Sequence, residues 1–318
     1  MAIQSVKLRP GINREGTRYT TEGGYYDGDK IRFRQGTPEK IGGWTQISAN
    51  TFLGVCRSLH NWITLGGQNL IGIGTHLKFY VENIGSYFDV TPLRASVSLT
   101  NPFTTVSGSA TVTVTDANGG YINGDYVTFS NASAVGGITI DGEYVVSSSA
   151  ISAAGTYTIT AASNASSSAT GGGTVSAAYQ INVGNPFAVP ITGWGAGSWS
   201  QGTWGVGESS IKAIRFWSQS NFGEDLIFGH AGGAIYYWDA TGNVSTRAVS
   251  LSSLSGASDV PVVQNLILVS DISRFVFCFG TNTIGSSSVD PTLIRWSDQG
   301  DPTNSSCTSI STRGSCMD

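Results

Sequence analysis

Between Leu53 and Val90 apolar and polar residues alternate in short runs, LGVCRSLHNWITL, NLIGIGT, HLKFYVEN and SYFDVTP, separated by Gly or Asn. A period of two marks strands with one buried face, so this stretch predicts a meander of hairpins. The same texture returns in IKAIRFWSQ, EDLIFGHAGGAIYYWDATG, VPVVQNLILVSDISRFVFCFGTN and PTLIRWSDQGDP. Three segments share one plan: NLIGIGTHLKFYVENIG, DLIFGHAGGAIYYWDATG, and FVFCFGTN with PTLIRWSDQG. Each runs apolar strand, short connection, aromatic strand, then an Asn or Asp turn, which is the sequence form of propeller blades.

Two stretches break this rhythm. Residues 1–45 carry turn signals every few positions and few apolar residues, so an extended N-terminal arm is expected there, of the kind that packs on another subunit or domain. Residues 95–180 are an island of Ser, Thr, Ala, Val and Gly, with runs such as SATVTVTD, GDYVTFSN and GTYTITAAS. They predict a small inserted β-sandwich-like domain of five or six strands, in which SNASSSATGGG at 163–173 reads as a mobile loop. The expected organisation is an arm over 1–45, a propeller-like domain over 46–94 and 185–303, an inserted β-domain over 95–184, and an irregular tail over 304–318. GYYDGDKIRF at 24–33 is echoed by GYINGDYVTF at 120–129, and both read as a Gly-Asp turn feeding a strand.

Composition strengthens the all-β reading. The 318 residues are 40% hydrophobic but only 12% charged, and 42 are Gly, as suits many short strands and tight turns. No apolar run approaches the roughly 20 residues of a membrane helix, and MAIQSVKLRP lacks an apolar signal core, so a soluble protein made in the cytoplasm is expected. The four cysteines, Cys56, Cys278, Cys307 and Cys316, have no CxxC spacing, so neither zinc nor redox chemistry is indicated.

Charge is uneven. The first 40 residues hold eight of the 17 basic residues against five acids, a balance of +3 that leaves −7 for the rest of a chain whose net charge is −4. From Ala95 to Ile211 there is no Lys or Arg. Affinity for nucleic acid comes mainly from cations on phosphates, so this stretch cannot grip DNA.

Catalytic chemistry finds few candidates. Cys56 and His60 stand four apart in a strand-like context, a same-face contact rather than a close ligand pair. Ser200 lacks the glycine two positions earlier that a nucleophile elbow needs, and Gly193, Gly195 and Gly197 are followed by no helix that could hold a phosphate. Asp27 and Asp29 begin like a calcium loop that Lys30, Ile31 and Phe33 do not continue. Glu224, Asp225 and Asp239 are the carboxylates a glycosidase would use, but adjacent strand residues face opposite ways, and turn-capping is the expected role of these acids. No cofactor, metal site or catalytic residue is expected.

The stretch GWGAGSWSQGTWG places Trp194, Trp199 and Trp204 five residues apart among small residues, a spacing that gives no single face on a helix or a strand. Two readings stand. Exposed indoles would make a carbohydrate platform; rings set among glycines would instead wedge against a neighbouring backbone or subunit. The second is preferred.

The order LRPGINREGTRYTTEGGYYDGDKIRFRQGTPEKIGGW, WGAGSWSQGTWG, RFWSQSNFGEDLIF, GGAIYYWD and LIRWSDQGDPTN resembles the tail nozzle (tail hub or tail tube) proteins of short-tailed bacteriophages and related prophages. The resemblance covers most of the chain outside 95–180 and contains no catalytic signature. It implies a β-propeller with platform and tip elements, assembled as a homohexameric ring below the portal and adaptor. Tail fibres or tip proteins are further implied partners. The protein would be a non-enzymatic structural component of the virion tail, made in the host bacterial cytoplasm, around a channel through which DNA passes without specific binding. The alternative function is a carbohydrate-binding, host-recognition module of a phage tail. The residues expected at subunit or domain interfaces are Trp194, Trp199, Trp204, Arg32, Arg34 and Trp44. After LIRWSDQGDPTN the pattern gives way to SSCTSISTRGSCMD, where the resemblance implies further strands; a shortened or frame-shifted chain with an incomplete propeller is therefore expected.

Overall fold

The computed structural model describes residues 9–20, 23–43, 46, 48–117, 121, 123–147, 155–183, 214–304 and 307–309. The architecture is all-β, and no α-helix occurs among the described residues; a single 3-10 turn spans Leu251–Ser253. By its contacts the chain divides into two units, Met1–Ala49 and Asn50–Asp318.

The first unit is built on a hairpin of β1 (Ile31–Arg34) and β2 (Thr37–Lys40), in register from Ile31 with Lys40 to Arg34 with Thr37. Gln35 and Gly36 both take positive φ at its turn, a geometry glycine adopts without strain. Tyr25 and Phe33 meet edge to face with centroids 5.1 Å apart, and a short parallel bridge joins Ile12 to Tyr25. The stretch read as an extended arm thus contains a small hairpin with an aromatic contact.

The second unit begins with a four-stranded antiparallel meander of β3 (Cys56–Ile63), β4 (Asn69–Thr75), β5 (Phe79–Asn83) and β6 (Ser86–Asp89). Eight strands follow: β7 (Leu93–Thr100), β8 (Phe103–Thr105), β9 (Thr111–Thr115), β10 (Tyr126–Ser130), β11 (Gly142–Val145), β12 (Thr156–Thr160), β13 (Ala169–Gly171) and β14 (Thr174–Gln180). They form two four-stranded sheets, ordered β11-β10-β14-β7 and β12-β9-β8-β13. Their inner faces share one core, in which Phe103 meets Phe129 edge to face at 5.1 Å and Val112, Val114, Ile159 and Val175 are sealed from solvent. Strict alternation of Val or aromatic with Thr, as in TVTVT and TYTIT, produces this.

Among the described residues the strand count is eight rather than five or six, because β8 and β13 have three residues each and are too short to show a period. SNASSSATGGG is not a mobile loop. Ala169–Gly171 pairs with Phe103–Thr105, Ala165 is buried, and Ser166 binds the Gly136 carbonyl through its backbone N–H and its hydroxyl.

Two further meanders follow among the described residues: β15 (Trp217–Phe222), β16 (Asp225–His230), β17 (Tyr236–Trp238) and β18 (Val249–Ser250), then β19 (Leu266–Val269), β20 (Val276–Asn282), β21 (Val289–Trp296) and β22 (Cys307–Ser309). These two and β3–β6 are three blades of one plan, and their first strands lie side by side, β15 touching both β3 and β19. That is the propeller arrangement, with innermost strands around an axis and edges turned outward. The middle blade is buried on both faces. Leu226 and Phe228 join a core with Trp62, Leu70, Phe79 and Val81 of the first blade, whereas Ile227 joins Ile267, Val269, Val276 and Cys278 of the third.

Candidate functional site

Contacts between blades are made by polar groups of the innermost strands as much as by apolar ones. Toward the first blade, Trp217 donates its indole N–H to the Thr75 carbonyl at 2.7 Å, Gln219 donates to the Ser58 hydroxyl at 2.6 Å, and His60 is hydrogen-bonded to the Asn221 side chain. Toward the third blade, Ser218 and Ser220 accept the backbone N–H groups of Ile267 and Val269 at 3.1 and 3.2 Å. Polar residues are tolerated here because each makes at least one bond to a neighbouring blade, although the Gln219 side-chain oxygen is buried without a partner. Phe79 stacks on Phe228 with centroids 3.8 Å apart, an aromatic contact worth about 0.5–1.5 kcal/mol beyond its buried area.

Ionic junctions tie the sandwich to the blades. Lys78, buried before β5, places its ammonium 2.8 Å from Asp89 and 2.6 Å from both oxygens of Glu143 in the sandwich. Its ammonium also lies 4.9 Å from the Tyr126 ring centroid. Gln180 donates to Glu143 at 2.7 Å, and Arg247 of the middle blade reaches Asp89 and the Thr91 carbonyl. Burial works to raise the Asp89 pKa, but the charges of Arg247 and Lys78 outweigh it and hold the carboxyl below its ordinary value. Beside this, Arg94 pairs at 2.7 Å with Asp125, which also accepts from Asn182. Asp125 is the buried counterpart of Asp29 in the echoed motif, whereas Asp29 itself is exposed beside Lys30. One local pattern therefore serves two environments, and nothing within the ten residues distinguishes them.

The sequence-singled residues divide as follows. Trp194, Trp199, Trp204 and Trp44 lie outside the described residues. Arg32 is exposed and pairs with Glu39 across the hairpin; Arg34 is exposed at its end. Asp27 pairs with Arg14 and accepts the Gly28 N–H, which lowers its pKa. Cys56 donates to the Ser58 carbonyl at 3.6 Å, while His60 stacks on Trp62 and binds Asn221, so the two serve separate partners.

The three carboxylates are also dispersed. Glu224 accepts the Leu65 N–H at 3.1 Å. Asp225 accepts the Tyr237 hydroxyl and the Ala240 N–H within its own blade. Asp239 accepts from the backbone and hydroxyl of Thr241. That last geometry recurs at Asp89 with Thr91, Asp290 with Thr292 and Asp301 with Thr303. A repeated Asp-x-Thr turn, legible as DVT, DAT and DPT, went unnoticed in the sequence; it closes strand ends by side-chain-to-backbone bonds.

A cleft of about 490 Å³ opens between the 252–262 connection and the β20–β21 turn, lined by Ser252, Asp259, Val262, Ile284, Ser286 and Arg295. The Arg295 guanidinium donates to the Asn282 and Asp259 carbonyls, and Asn282 spends its side chain on Val262, Val263, Thr283 and Ser286. These groups hold the connection in place. Among the described residues no group of His, Cys, Asp or Glu is placed to hold a metal ion, and no helix is long and apolar enough to cross a membrane.

No protein-family model matches the chain, and no curated protein matches it. Among solved structures, the phage phi92 endosialidase aligns over 84% of this chain and 39% of its own length, at 17% identity and a TM-score of 0.25. The chain therefore spans well under half of that protein, and a likeness at this level is silent on activity.

Proposed function

We propose that the chain is a structural protein of a short-tailed phage tail, a subunit of the nozzle or hub ring that continues the DNA channel below portal and adaptor. The observation that carries this reading is the coincidence of motif and blade: GGAIYYWD runs into β17 and LIRWSDQGDPTN into β21 and the Asp301 turn, so these two motifs are strand and turn pieces of a repeated scaffold. Their acids and aromatics are spent on closing blades, as an assembly protein requires. The cation-free stretch from Ala95 to Ile211 suits a part past which DNA slides, and the basic hairpin with Arg32 and Arg34 suits docking on another subunit of a body that carries −7.

Antibody labelling of virions with serum raised against the 318-residue chain tests it. Gold at the tail in every particle is the expected result; label confined to infected-cell lysate removes the proposal.

A further inference from the structure

The innermost strands of the first two blades run in the same direction. Ser58 meets Gln219, His60 meets Asn221, and the Trp62 indole donates to the Glu224 carbonyl, three contacts that step along both strands in the same sense. Their starting ends therefore coincide, and four groups able to carry positive charge gather there: Arg57 on β3, His76 after β4, Arg215 before β15 and His230 at the end of β16. The Arg57 guanidinium donates to the Arg215 carbonyl at 3.2 Å, and the Arg215 guanidinium donates to the Asn182 carbonyl at 3.0 Å. Trp217 stands opposite His230 in the sheet and donates to the carbonyl of Thr75, beside His76.

Charge at this end is one-sided. Burial lowers the pKa of both arginines, yet a guanidinium stays protonated in a protein. Burial, and then the Arg57 charge, lower the His76 pKa; burial, and then the Arg215 charge, do the same at His230. Each imidazole thus lies in the field of one guanidinium and is neutral at pH 7. Other withdrawn cations of this unit are matched by acids: Lys78 by Asp89 and Glu143, Arg94 by Asp125, and Arg247 by Asp89. Arg215 is half-buried and departs from that pattern, because among the described residues it pairs with no carboxylate and its charge is favoured by Tyr236. A withdrawn charge of this kind costs desolvation that a bound anion offsets.

His76 adds a donor. Its Nδ1 accepts the Val55 N–H at 2.9 Å, so the neutral ring carries its proton on Nε2. Guanidinium forks match the oxygens of carboxylate and phosphate alike, and the charge decides between them. A carboxylate cancels one of the two guanidinium charges, whereas a phosphate with at most one ester bond carries about −1.5 to −2 at pH 7. We propose that this end of the β3–β15 joint binds a dianionic phosphate, free or as a monoester, between the Arg57 and Arg215 guanidiniums, with the His76 Nε2–H as a third donor. The inference does not depend on the tail reading.

The test is isothermal titration calorimetry of the full chain with inorganic phosphate, methyl phosphate, dimethyl phosphate and acetate. Inorganic phosphate saturates the wild type below about 10 mM, and dimethyl phosphate and acetate, with one charge each, bind at least about tenfold more weakly. Methyl phosphate separates the two sources: binding like inorganic phosphate admits a monoester, and weaker binding assigns the site to the free ion. Arg215→Gln and Arg215→Lys are each checked for native circular dichroism. Phosphate binding weakens about ten- to a hundredfold in Arg215→Gln and is partly regained in Arg215→Lys, which keeps the charge and loses the fork. A wild type that inorganic phosphate does not saturate, acetate or dimethyl phosphate binding as tightly as phosphate, or a folded Arg215→Gln protein that binds phosphate like wild type overturns the proposal.

Discussion

Trp217 occupies the space that a side chain at position 74 would need: a Cβ on Gly74 would come within 2.4 Å of the indole Cδ1. The same indole donates to the carbonyl of Thr75 at 2.7 Å and meets Phe79 edge to face at 5.0 Å. Glycine is required here for close approach, and the joint between the first two blades depends on it. Gly74→Ala is expected to destabilise the protein by about 1–3 kcal/mol through overpacking, and Trp217→Ala by about 3–5 kcal/mol through the cavity left behind. Urea unfolding read by circular dichroism checks both; a Gly74→Ala protein as stable as wild type contradicts the packing described.

Lys78 is the single buried cation between Asp89 and Glu143, so Lys78→Met leaves two carboxylates facing one another without it. Removing one partner of a fully buried pair costs about 3–5 kcal/mol; here both carboxylates are partly exposed and Asp89 keeps Arg247, so a smaller loss is expected. The loss is expected to be smaller in Lys78→Met with Glu143→Gln, because one carboxylate is then neutral, and a double-mutant cycle measures the coupling. The depressed Asp89 carboxyl adds a pH dependence. Its stabilising share is fully present above the ordinary value of 3.8 and is lost as pH falls from there through the lower folded value. Additive single and double variants would show that the cluster is not a unit.

His230 provides a second, higher window. Burial, and then the neighbouring Arg215 charge, lower its pKa from 6.5 to about 4. The folded protein therefore keeps a neutral imidazole where the unfolded chain takes up a proton. Stability falls as pH drops from 6.5 toward 4, by about 3 kcal/mol in all. Unfolding free energies at pH 7 and pH 4.5 should differ by most of this amount, and the difference should shrink in His230→Asn. An identical pH slope in the variant would assign the effect elsewhere.

Amide exchange checks the Ser-rich stretch of the sandwich. The N–H groups of Ala165 and Ser166 are bonded to the Ser109 and Gly136 carbonyls at 2.9 and 2.8 Å. They are expected to exchange slowly, with the neighbouring strands rather than with surface loops. Exchange within seconds would restore the mobile-loop reading.

Much of the fold was legible because the middle two strands of every blade are buried on at least one face, and β4–β5, β16–β17 and β20–β21 coincide with the three repeating segments. The innermost strand β15 was harder to see. Its sequence WSQSNF is polar because Ser218, Gln219, Ser220 and Asn221 bond neighbouring blades, so its burial leaves no apolar period. β18 has two residues and β13 three, fewer than a period needs. The ionic junctions were invisible for another reason: Lys78, Asp89, Glu143 and Arg247 are far apart in sequence, and only topology joins them. Dispersal of Glu224 and Asp225 was foreseeable from strand alternation, and their separate partners agree with it.

Glycan binding by the isolated protein would favour the host-recognition alternative, and turnover of polysaccharide lost in Glu224→Gln would favour an enzyme.

Electron microscopy of virion tails with the labelled chain, averaged end-on, tests the central claim most directly. The account predicts a ring containing six copies enclosing an open channel coaxial with the portal. A peripheral appendage with no channel, or a monomer attached at the tip, would contradict it.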